Sequence, residues 1–81
     1  MKKYVYPAIF IEDEEGVAVS FPDIIGGVTD GKDFDEAMYM AKDLLRLMLT
    51  HVPGQCGTPA TPEEMKKLFP HDKIVEVEVT I

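Results

Sequence analysis

Cations and cysteines are scarce in this sequence. Lys and Arg number 8 against 15 Asp and Glu, a formal net charge of −7. Nucleic-acid affinity comes largely from cations that displace counterions on phosphates, so this balance argues against direct binding of DNA or RNA and favours a basic partner. The single cysteine, Cys56, excludes an intramolecular disulfide and agrees with a reducing compartment. No apolar run approaches the roughly 20 residues of a membrane-spanning helix. The start, Met1-Lys2-Lys3-Tyr4-Val5-Tyr6-Pro7, is broken by proline and runs on to Glu12-Asp13-Glu14-Glu15, unlike a secretory signal. The expectation is a cytoplasmic protein with no membrane association. Repeats and linkers are absent as well, so residues 1–81 read as one domain.

Hydrophobic residues are ample at 46%, which sets the chain apart from disordered sequences. A domain of 81 residues still leaves much apolar surface in water, so self-association is expected.

Residues 4–12 are apolar, β-branched and aromatic and are followed by the polar turn Asp13-Glu14-Glu15-Gly16, which predicts a strand and a hairpin bend. Val17, Val19 and Phe21 alternate in a second strand that Pro22-Asp23 ends. A third, short strand is expected near residues 25–29, weakened by Gly26 and Gly27, with Asp30-Gly31 turning the chain. Asp33 followed by Glu36 forms a capping-box-like helix start. From Phe34 to about His51, one apolar stripe holds Phe34, Met38, Ala41, Leu45 and Met48, and a second holds Ala37, Met40, Leu44 and Leu47. Thr61-Pro62-Glu63-Glu64 starts a short helix whose Met65, Leu68 and Phe69 are expected to pack on the second stripe. Val75, Val77, Val79 and Ile81 alternate with Glu76, Glu78 and Thr80 in a last strand. A right-handed crossover then lays the long helix over one sheet face, giving an α+β domain in two layers.

The carboxylates Asp13, Glu14, Asp23 and Asp30 raise the question of a hard cation, but their spacing matches no metal loop, and each has a local turn role. His51, Cys56 and His71 lack the paired spacing of a zinc module. A Cys56–His51 nucleophile pair lacks an orienting third group. A phosphate at Gly26-Gly27 and Gly31 would meet the repelling Asp33, Asp35 and Glu36. No metal, cofactor or catalytic residue is therefore assigned.

Tyr6-Pro7-Ala8, a hairpin with an acidic turn, "VSFPDIIGGVTDG" and a capped helix beginning "DFDEAMYMAKDLL" together resemble the HicB-like antitoxin family. The matching positions are Tyr6, Pro7, Ala8, Ser20, Phe21, Pro22, Asp23, Gly26, Thr29, Gly31, Glu36, Ala37 and Ala41, while Ile25 and Gly27 stand where the family has proline and cysteine. The resemblance implies a partial ribonuclease-H-like β-β-β-α-β fold with a mixed four-stranded sheet, the last strand lying beside the first. Pro7 is then expected at a bulge or beyond the paired segment, because a proline in an internal strand breaks the ladder. It further implies a protein that binds and silences a small basic HicA-type messenger-RNA-cleaving toxin with a double-stranded-RNA-binding-like fold. Many family members carry a C-terminal DNA-binding domain; the sequence ends at Ile81, so direct autoregulation of transcription is not expected.

The functional expectation is an antitoxin-like module, not an enzyme, that covers the toxin's active surface. Glu12, Asp13, Glu14, Glu15 and Asp23 are the candidate contacts, solubility being their alternative role. A solitary homo-oligomeric scaffold or small-ligand protein without a toxin is the competing reading, and a metal-dependent nuclease a third, for which the resemblance carries no catalytic tetrad. Incompletely covered Met40, Leu44 and Leu47 predict a homodimer, or a tetramer of dimers.

Overall fold

The computed structural model describes all residues, Met1–Ile81. Strands β1 (Lys3–Asp13), β2 (Gly16–Ser20) and β3 (Val28–Gly31) form an antiparallel meander, followed by helix α1 (Phe34–His51), a 3₁₀ turn at Pro53–Gln55, helix α2 (Pro62–Leu68) and strand β4 (Lys73–Thr80). The sheet order is β3-β2-β1-β4. The class is α+β, with one four-stranded sheet and two helices, and the last strand does return beside the first.

The sheet is antiparallel throughout, where a mixed sheet was expected: β4 runs against β1, with Lys73 opposite Phe10 and Thr80 opposite Lys3. A simple strand-helix-strand crossover would deliver β4 parallel to β3 and hence to β1. Here the chain makes an extra pass. Helix α1 descends from the hairpin end of the sheet, residues 53–72 climb back, and β4 therefore starts at the hairpin end. The third strand also lies later than its sequence suggested, because Asp30 and Gly31 belong to the ladder opposite Ala18 and Val17 and do not form a turn.

Alternation places Tyr6, Ala8 and Phe10 of β1, Val17 and Val19 of β2 and Val77 and Val79 of β4 on one face, in a core with Phe21, Ile24, Ala37, Ala41 and Leu45. The buried helix seam, Ala37-Ala41-Leu45, runs between the two stripes seen in the sequence. Phe34 is 37% exposed and sits at the rim against the Phe10 ring, 5.2 Å between centroids. Small residues let the helix approach closely: a Cβ on Gly31 would lie 2.4 Å from the Ala37 nitrogen, so this position admits only glycine without moving α1.

Each helix start follows from its cap. The Asp33 carboxylate accepts from the Glu36 amide at 2.8 Å, while Glu36 accepts from the Lys32 amide at 2.9 Å, one residue upstream of a closed capping box. At α2 the box is closed, with Glu64 N–H donating to Thr61 Oγ1 and Thr61 N–H to Glu64 Oε1.

Helix α2 does not pack on α1. Met65 is 1% exposed, and Ile9 and the Pro7 ring are also buried, yet none of them belongs to the α1-side core. A cleft of about 450 Å³ is lined by Pro62, Lys66 and Phe69 together with Ile74 and Glu76, which the register places on the face away from α1. Helix α2 therefore covers part of the second face, and the domain has two helices on opposite sides of its sheet. Leu68 points away, 68% exposed. The expected cover for Met40, Leu44 and Leu47 is spent elsewhere.

Pro7 sits within the paired strand, opposite Glu76, and not at a bulge. Lys2 and Ile81 exchange both backbone hydrogen bonds, so even-numbered β1 residues face β4 and odd-numbered ones face β2. The missing Pro7 donor thus points towards β2, whose last paired residue, Ser20, lies opposite Ile9. The β4 ladder loses nothing.

Candidate functional site

The hairpin end collects the negative charge. Asp13 holds the turn, its Oδ1 accepting from the Glu15 amide at 2.8 Å and the Gly16 amide at 3.1 Å, which leaves Glu12, Glu14 and Glu15 free in solvent. Asp13, Glu15 and Asp30 rim a notch of about 120 Å³. The α1 start, with Asp33, Asp35 and Glu36, lies at the same end because β3 delivers the chain there. The one ion pair in the structure is elsewhere, Lys3 Nζ to Glu78 at 3.9 Å. No group of His, Cys, Asp and Glu is placed to hold a metal ion, and His51, Cys56 and His71 are not brought together.

Asp23 stands apart from the other four candidate contacts, at the opposite end of the sheet. Its backbone oxygen accepts from Gly57 N–H at 2.8 Å and its Oδ2 from Ala60 N–H at 3.0 Å. The sequence predicts a local turn role for Asp23; the observed role is a tertiary one, fastening the segment that leads to α2. The same segment is held from the other side by Tyr6, whose hydroxyl donates to the Gly57 carbonyl at 2.7 Å. Burial, then the neighbouring Cys56, Asp23 and Tyr4, raise the Tyr6 phenol above its ordinary value. Burial likewise pushes the Cys56 thiol up, which keeps it protonated and poorly nucleophilic at neutral pH.

The motif residues of the Phe21–Gly31 stretch build a compact turn. Phe21 N–H donates to Gly27 O, Gly27 N–H to Ile24 O and Ile24 N–H to Phe21 O. Gly26 takes a φ of 78°, a left-handed conformation that favours glycine. Thr29 pairs with Val19 in β3. The turn therefore joins β2 to β3, and the helix starts only after β3 has paired.

Among the expected oligomer residues, Met40 and Leu44 are half-buried and Leu47 is 49% exposed. The sequence reading missed the outer edge of β4 as a surface. The alternation of Glu76 and Glu78 with valines was visible, but which strands are outermost was not.

No family model matches the chain. Over 44 residues, 54% of the chain, it is 48% identical to Antitoxin HicB 2 from Photorhabdus laumondii subsp. laumondii. The match takes in 32% of that HicB relative's length. A chain of a toxin-antitoxin complex from Streptococcus pneumoniae has the same fold, with a TM-score of 0.73 at 22% identity, over 98% of this chain and 70% of that one. No helix of the chain is long and apolar enough to cross a membrane.

Proposed function

We propose that this protein is an antitoxin-like module that binds a small basic HicA-type ribonuclease toxin and blocks it by occlusion, with no catalysis of its own. The observation that carries the reading is the 48% identity to Antitoxin HicB 2. The distribution of charge supports it: the carboxylates of Glu12, Glu14 and Glu15 carry no ion pair, and complementary charge speeds association with a basic partner and selects it. Asp13 shapes that surface, while Asp23 contributes at the far end through the strap it fastens. The acidic field also disfavours competing RNA, so the module binds no nucleic acid directly.

The test is co-expression with the basic, HicA-like reading frame expected beside such a gene. Rescue of growth and a stable complex are expected. A variant with Glu12→Lys, Glu14→Lys and Glu15→Lys, which spares the turn-forming Asp13, should bind more weakly, most of all at low salt. Undiminished neutralisation by this variant removes the acidic hairpin as the contact. A neighbour that is not a ribonuclease, or one the protein fails to silence, removes the antitoxin reading.

A homodimer, able to pair into a tetramer, accompanies this reading. Leu47 exposed beside half-buried Met40 and Leu44 favours it, and the same surface would serve a solitary scaffold protein in the absence of toxin.

A further inference from the structure

The outer edge of β4 is the longest unguarded surface of the sheet. Because Lys2 and Ile81 exchange both of their bonds, Val75, Val77 and Val79 spend their backbone groups on β1, and the N–H and C=O groups of Ile74, Glu76, Glu78 and Thr80 point outward. Nothing in the structure bonds to them. Natural sheets blunt such edges with short strands, prolines, bulges or charge. The other edge, β3, is only 4 residues long. The β4 strand runs 8 residues with no proline, glycine or bulge, and its guards are two exposed glutamates on the face away from α1, of which Glu78 also meets Lys3 of β1 at 3.9 Å and Glu76 has no ion pair.

Those glutamates select the occupant. A second copy adding β4 to β4 across a two-fold axis must pair outward-facing residues with outward-facing residues. Registers that use most of the strand then set glutamate opposite glutamate, which destabilises a cross-strand pair. A strand with lysine or arginine opposite Glu76 and Glu78 reverses the sign. On the other face its alternate residues would continue the row of Val75, Val77 and Val79. The cleft of about 450 Å³ beside Ile74 and Glu76, lined by Pro62 and Phe69 with Lys66 and Asp72 as its other charges, gives room for one long side chain at the start of the added strand.

We infer that the open edge of β4 accepts an extended segment of a partner protein in which basic residues alternate with apolar ones, extending the sheet by one strand. This deepens the antitoxin reading by naming where a basic toxin is gripped, and it rests on backbone geometry that the reading does not supply.

The experiment follows amide exchange by NMR while adding a capped peptide that alternates lysine with valine over about seven residues, the length such a strand pairs with. With peptide at about ten times its Kd, exchange at Ile74, Glu76 and Glu78 is expected to slow by about tenfold. The same peptide N-methylated on its β4-facing amides keeps its charge and should lose this protection. Glu76→Gln with Glu78→Gln should weaken binding and flatten its salt dependence. Equal protection by the N-methylated peptide, or protection confined to residues 12–15, overturns the proposal. A toxin that is neutralised while these β4 amides still exchange freely overturns the edge and leaves the antitoxin reading intact. Protection by the peptide with no toxin bound sustains the edge and counts against that reading.

Discussion

Pro7 and Pro22 occupy the positions that the β1–β2 register would pair next after Ile9–Ser20 and Ala8–Phe21. That pair would exchange two hydrogen bonds, and neither residue has an N–H to give. The two strands part there. Into the split runs the segment from Gln55 to Ala60, bonded to Asp23 and Ile25 on one side and to the Tyr6 hydroxyl on the other. It carries the chain from the α1 face to the α2 face.

Pro7→Ala should therefore destabilise the fold without extending the ladder. The buried ring is lost, a new N–H faces the crossing strap, and the unfolded chain gains freedom. Together these amount to about 2–4 kcal/mol. Pro22→Ala, at an exposed position, should cost under about 1 kcal/mol. Urea denaturation measures both. A stabilised Pro7→Ala protein with a protected residue-7 amide would show that the strands zip further and that proline does not create the split.

The Tyr6 hydroxyl is the strap's second fastening. Tyr6→Phe removes one buried donor and leaves the Gly57 carbonyl unpaired, a loss of about 1 kcal/mol at neutral pH. The phenol's folded value lies above its ordinary 10.0, so the neutral form is favoured in the native state. That contribution is complete below pH 10.0 and disappears as pH rises through the folded value. Stability measured against pH should fall on the alkaline side in the parent, and less steeply in Tyr6→Phe. Parallel alkaline profiles for the two proteins would contradict this.

Gly31 and Gly54 form a matched pair. An alanine Cβ at Gly31 meets the Ala37 backbone, whereas one at Gly54 meets nothing within 4 Å. Gly31→Ala should cost more than about 2 kcal/mol, since backbone rather than a flexible side chain must move, and Gly54→Ala should stay within about 0.5 kcal/mol. Thermal melts of the two variants decide it, and equal melting temperatures would mean that α1 is held less tightly against β3 than the structure has it.

The parts of this fold that are legible in the sequence depend on near neighbours. Asp33 capping Glu36, Thr61 boxed with Glu64, the Asp13 turn and the alternation in β4 each involve residues a few positions apart. The direction of β4 depends on where residues 53–72 travel, and no periodicity encodes a path through a split in the sheet. Pro7 looked like an obstacle because its side of the strand is set by register. The site divides in the same way. Glu12 to Glu15 form a visible run, but Asp30 and Asp35 join them only through folding, and Asp23 leaves them because its partner Ala60 lies 37 positions away.

The exposed flank of α1 gives the prediction on assembly. Ala37, Ala41 and Leu45 spend their surface on the sheet, and α2 lies on the far face, so nothing within the chain covers Leu47. Leu47→Lys should leave the monomer folded, because a side chain already 49% exposed loses little core contact. If the flank of Met40, Leu44 and Leu47 is the dimer contact, placing two lysines beside the symmetry axis desolvates like charges and drives dissociation. Sedimentation and light scattering across the micromolar range should show a dimer for the parent and a monomer for Leu47→Lys, with parent stability alone rising with concentration. A parent that is monomeric throughout, with concentration-independent stability, rejects the dimer. A Leu47→Lys protein that still dimerises moves the contact off this flank, and the outer edge of β3, which the acidic Asp30 guards, becomes the surface to vary next.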